Sequence, residues 1–120
     1  MAPLPTISPV VIDAVTDMLL SDQGMNRPPE KAAALLALIV ELHKRKQPFP
    51  RREEVAEAIN ASISTVDAAL SSRIDEGYIT PVVETKRGSV QRRNSIVRER
   101  YYIPSAALID VVGKAKRRRG

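Results

Sequence analysis

Residues 52–79, REEVAEAINASISTVDAALSSRIDEGYI, decide the fold. Residues 51–59 have a helical pattern, with Val55, Ala56 and Ile59 on one side and Glu53, Glu54 and Glu57 on the other. Asn60-Ala-Ser62 is a short turn, and the Ser62 hydroxyl suits the cap of a second helix over 63–76. Val66, Ala69, Leu70 and Ile74 recur there at three- and four-residue steps, and Gly77 stops the helix. The stretch therefore predicts two short helices joined by a tight turn.

Beyond Gly77 the pattern changes. Residues 78–85 are rich in β-branched side chains, and residues 96–103 alternate. Ile96, Arg98, Arg100 and Tyr102 fall on one face, with Val97, Glu99, Tyr101 and Ile103 on the other. The polar, basic run 86–95 between them gives a β-hairpin with a long cationic tip. Pro81 confines the first strand to an edge or forces a bulge.

Upstream, Ser8-Pro9 supplies a helix start, and Val11, Val15 and Met18 carry an apolar stripe to about residue 21, with Ala14 and Leu19 beside it. Residues 22–29 form a loop by composition. A further helix follows to about residue 46, with a broad apolar surface of Ala32, Leu35, Leu36, Leu38, Ile39 and Leu42. Gln47-Pro-Phe-Pro50 ends it, because a residue before proline is pushed out of the helical region. Downstream, Pro104-Ser105 opens a last helix with Ala107, Leu108, Val111 and Val112 apolar. Residues 1–7 are expected to be a flexible arm, 8–113 a single domain with its wing at 78–103, and 114–120 a basic tail.

The fold class expected is mainly α with a small β-hairpin, an α+β arrangement with flanking N- and C-terminal helices. At 120 residues and 43 % hydrophobic content the chain has enough apolar surface for one core, and with only 3 % aromatic residues that core must be aliphatic. With no cysteine, thiolate metal sites and thiol nucleophiles are excluded, and a lone His43 excludes paired-histidine metal sites. No enzyme and no cofactor is expected. No apolar run reaches the ~18 residues of a membrane span, and no basic stretch precedes an apolar run at the N-terminus. A soluble, cytoplasmic protein is the expectation.

Charge is distributed unevenly. Up to Val83 eight basic residues stand against eleven acidic, a net −3, whereas from Glu84 onward eleven basic residues stand against three acidic, a net +8. Such a surface suits a polyanion, and a solubilising tail is the alternative.

Residues 52–79 look like the helix-turn-helix pattern of the GntR-type and MarR-type bacterial regulators. Ala56 stands where the two helices cross, Ser62 at the cap, Thr65-Val66 as the packing pair, Leu70 as the core anchor, and Gly77 before Ile79 at the passage into the wing. The resemblance covers about a quarter of the chain and implies a winged helix-turn-helix domain that binds double-stranded DNA as a transcriptional regulator, most simply a repressor. The second helix would enter the major groove and present Ser62, Ser64, Thr65, Asp67, Ala68 and Ser71. None is an Arg, Lys, Asn or Gln, so base readout from this helix is thin. Phosphate contact falls to Arg51 and Arg52 at the first helix and to Lys86, Arg87, Arg92 and Arg93 at the hairpin tip. Arg98 and Arg100 fit either a phosphate contact or a solvated strand face.

A homodimer through residues 8–21, 32–42 and 105–113 is expected, in the manner of MarR-type dimers; a monomer whose single core these helices complete is the alternative. Three other functions share the charge pattern: a protein-interaction module, a plasmid or phage replication, partition or recombination accessory factor, and an RNA-binding winged domain. His43, Glu53 and Glu54 suit helix ends better than chemistry, and one of Tyr101 and Tyr102 is expected to pack beneath the wing.

Overall fold

The computed structural model describes residues 4–23, 30–85 and 97–119. Within them run α1 (Pro9–Gln23), α2 (Glu30–Lys44), α3 (Arg52–Ala58), α4 (Ile63–Asp75), β1 (Ile79–Thr85), β2 (Val97–Pro104) and α5 (Ala106–Arg119). The expected α+β class is observed: five described helices and one antiparallel two-stranded hairpin. No described helix is long and apolar enough to cross a membrane.

The helix α2 is the axis of the fold. Every residue from Ala33 to Leu42 is buried, because α1, α4, α5 and β2 all pack on it. A helix that is apolar on several sides can shed water only in this way. Val11, Val15 and Leu19 of α1 and Leu108, Val112 and Ala115 of α5 join the same core. The stripes at 8–21, 32–42 and 105–113, offered by the sequence as a two-fold interface, are therefore spent against one another inside one chain. Packing of this kind is what one core completed by the flanking helices requires.

A second difference lies at the C-terminal end. The run from Lys114 onward continues α5 through Arg119 and does not leave the helix at 113. Ala115 on this run is buried, and Lys116 pairs with the carboxylate of Glu41 on α2. Glu41 is itself buried, flanked at 4.0 Å by Arg45 one turn on. An otherwise costly carboxylate thus has two cationic neighbours.

The helices α2, α3 and α4 end alike. Each closes on a residue in the left-handed region: Lys46 (φ 56°), Asn60 (φ 56°) and Gly77 (φ 84°). At each end two reversed hydrogen bonds take up carbonyls of the last turn. They are Lys46 N–H to His43 O and Gln47 N–H to Leu42 O, Asn60 N–H to Glu57 O and Ala61 N–H to Ala56 O, and Gly77 N–H to Ile74 O and Tyr78 N–H to Arg73 O. This is the Schellman closure, which turns the chain sharply without orphaning backbone groups.

The hairpin pairs Ile79 with Pro104 through Glu84 with Glu99, with an irregularity between Glu84 and Thr85. Ile79, Tyr102 and Pro104 lie on the face turned into the core, whereas Val82 and Ile103 lie on the other face and are exposed. Pro81 faces Tyr102 on a strand with one described neighbour, where a missing N–H costs nothing. The other edge of β2 meets the connector after α2, where Phe49 N–H donates to Arg100 O at 2.6 Å. The Phe49 ring also meets Tyr102 edge to face at 4.9 Å.

Candidate nucleic-acid interface

The apolar side of α3, Val55 and Ala56, and that of α4, Val66 and Leu70, are buried, and the two helices pack together. This orientation leaves the opposite side of α4 in solvent. Ser64, Thr65, Ala68 and Ser71 are exposed, and Asp67 is half-buried beside them. Five of the six residues expected on this helix therefore share one accessible side. The sixth, Ser62, is exposed but occupied. Its Oγ accepts from the Thr65 N–H at 3.1 Å and lies 2.9 Å from Thr65 Oγ1 and 3.4 Å from Ser64 Oγ. Its hydroxyl satisfies a free amide of the first turn.

Two further candidates meet each other. Arg52 Nη1 donates to Asp67 Oδ2 at 2.7 Å, joining the start of α3 to the exposed side of α4. Sequence spacing does not reveal this pair, since it depends on how two helices cross. Electrostatically it removes one cation from those available to phosphate and also neutralises the one acid expected to repel phosphate. Arg51 is exposed and stands 3.6 Å from Glu53, with both side chains largely in solvent. Pairs of this kind are weak and exchange readily for other partners.

Lys86, Arg87, Arg92 and Arg93 lie outside the described residues. The strands that lead to and from them are described, so the root of the hairpin is fixed. It follows α4 directly through Gly77 and Tyr78, and β1 packs against α4. Arg100 is exposed at the level of Val83. Of the tyrosine pair, Tyr102 is the one packed beneath the hairpin.

Arg73 was missed by the sequence reading. It lies on the inner side of α4 with its side chain 5 % exposed, its Nε 2.8 Å from Glu76 Oε1, and Nη2 donates to Glu76 Oε2 at 3.2 Å. The i,i+3 spacing of Arg73 and Glu76 was the available signal. This guanidinium is turned inward and cannot reach a duplex from the side that bears Ser64 and Ser71.

Among the described residues no group of three or more His, Asp or Glu side chains is placed to hold a metal ion. His43 is exposed at the end of α2. Comparison with protein-family models, with curated proteins and with solved structures finds no match to this chain.

Proposed function

We propose that this chain is a winged helix-turn-helix domain that binds double-stranded DNA and regulates transcription, as a repressor that occludes its site. The observation that carries the reading is the outward-facing side of α4. Its N-terminal half is capped by Ser62, braced from behind by α3, and set beside the root of a hairpin whose tip is strongly basic in sequence. A single α-helix fits the major groove, and a short turn before it is what lets a neighbouring helix hold it there. Because Ser64, Thr65, Ala68 and Ser71 offer short hydroxyl and methyl groups, the helix contributes fit and water-mediated contacts more than bidentate base reading. Affinity then rests on Arg51, Lys86, Arg87, Arg92 and Arg93, with Arg52 joining them when it leaves Asp67. A second copy of the chain is not needed for this reading.

The test is a duplex-binding titration of the full chain across salt concentrations. With about six phosphates neutralised, the logarithm of affinity falls against the logarithm of salt with a slope of about −5. Arg92→Ala with Arg93→Ala lowers affinity and makes the slope shallower. A slope of about −1 in the unaltered chain overturns the reading.

One observation favours a second reading, a protein-interaction module. Ile63 at the start of α4 is 40 % exposed beside small, uncharged neighbours, and the Arg52–Asp67 pair leaves that surface nearly neutral. Failure to bind random-sequence duplex at ~150 mM salt selects this alternative, since non-specific affinity is electrostatic in origin.

A further inference from the structure

The end of α2, the connector 47–50 and the hairpin together enclose an open pocket of about 400 Å³. Its walls are apolar: Ile39 and Leu42 from α2, Phe49 from the connector, Val82 and Ile103 from the hairpin. Val82 and Ile103 are 38 % and 44 % exposed and belong to one face of the sheet, so their exposure is concentrated at the pocket. The volume lies within the range that small-molecule sites occupy, roughly 300–1,000 Å³.

Two polar features give the pocket a chemical preference. Gln47 lines it, and the Oε1 of Gln47 is shut off from solvent with no hydrogen-bond partner. Buried acceptors are nearly always paired, and a turn of the half-buried Gln47 amide that brings Oε1 to the pocket wall would let a ligand N–H or O–H pair it. His43 and Lys46 stand exposed at the mouth, and no acidic residue lines the pocket. Lys46 is moreover the left-handed closing residue of α2, so its backbone is fixed by two hydrogen bonds of the helix end.

We propose that this pocket binds a small amphiphilic anion. Its apolar body lies against Leu42, Phe49 and Ile103, a donor on it meets Gln47 Oε1 once that amide turns to the pocket, and its negative charge faces Lys46. The hairpin tip of this same chain does not meet that description, because residues 86–96 contain no acidic side chain and four basic ones. The site stands whether or not the chain binds DNA.

The probe is 1-anilinonaphthalene-8-sulfonate, which combines an aromatic body, an N–H donor and a sulfonate. Added to the full chain, it gives saturable one-to-one fluorescence enhancement and raises the thermal midpoint of the folded protein. Gln47→Leu weakens binding roughly threefold to tenfold, the loss of one hydrogen bond. Lys46→Glu weakens it by about tenfold or more, and Val82→Trp fills the cavity and abolishes it. Ile63→Ser, at the exposed hydrophobic residue of α4, leaves binding unchanged. No saturable binding by the unaltered chain overturns the site, as does equal loss in Ile63→Ser. If Val82→Trp does not fold, the exposed Lys46→Glu decides alone: unchanged affinity there overturns the anion assignment.

Discussion

Arg52 on α3 and Asp67 on α4 form a 2.7 Å ion pair across the two helices that the turn at Asn60 brings together. Their side chains remain about half exposed, 52 % and 44 %, so the pair does little for stability and much for where charge is displayed. Asp67 is the acid nearest to the surface proposed to meet phosphate, and Arg52 is its counter-ion.

Replacing Asp67 by Asn removes the acid and releases the guanidinium. Duplex affinity is expected to rise roughly threefold to tenfold, about 1 kcal/mol, at low salt, with unfolding free energy changed by less than about 1 kcal/mol. Fluorescence anisotropy and urea denaturation check the two halves. A fall in affinity would mean that Asp67 itself accepts from a base or a bridging water, and that the surface reads sequence more directly than proposed.

Ser62→Ala removes the hydroxyl that accepts from the Thr65 N–H. The cost is expected to be about 1 kcal/mol, whereas Ser62→Gly costs only a few tenths. Urea midpoints of the two variants, compared with the parent, test the cap; equal destabilisation by both would show that the hydroxyl is not what holds the first turn.

The three left-handed helix ends differ in how well their residues suit the backbone. Gly77→Ala forces a Cβ into φ 84°, and although no atom lies within 4 Å of that Cβ, the backbone term alone lowers stability by about 1–2 kcal/mol. Lys46→Gly relieves the same kind of strain at φ 56° while adding entropy to the unfolded chain. These effects oppose one another, so a net change within about 0.5 kcal/mol is expected. Thermal unfolding of both variants reads the contrast.

Lys116→Met removes the cation that α5 brings to Glu41, leaving Arg45 at 4.0 Å as its remaining described cationic neighbour. The Glu41 side chain is only 12 % exposed, and loss of a partner there is expected to cost about 1–2 kcal/mol. Amide hydrogen exchange should quicken first along the last turns of α5. Unchanged protection from Leu108 to Ala115 would show that apolar packing alone seats the helix.

Much of this fold could be read locally. The Ser62 cap, the stop at Gly77 and the inward set Val55, Val66, Leu70 and Ile74 each depend on a few neighbouring residues, and helical periodicity carries them. The β2 alternation likewise set Tyr101 and Tyr102 on opposite faces with one expected to pack, and Tyr102 is the buried one. What escaped was tertiary. An apolar stripe on α1 or α5 does not say whether its partner is in the same chain, and the packing on α2 answered that. The Arg52–Asp67 pair spans 15 positions and two helices. The pairing of Glu41 with Lys116 joins α2 to α5 across 75 positions, which no local pattern announces. Gln47-Pro-Phe-Pro50 gave no strand signal because its prolines lack donors, although the one amide between them, Phe49 N–H, bonds to β2. Of the site, the exposed side of α4 was legible from its period, while the four tip cations remain a statement about sequence.

The burial of α2 on every side has a consequence for how the molecule comes apart. Both terminal helices, the α3–α4 unit and the hairpin all lean on the same ten-residue rod from Ala33 to Leu42. Among the described elements none forms a half that could melt and leave the other standing, so heating is expected to produce one sharp absorption of heat, with calorimetric and van't Hoff enthalpies in agreement.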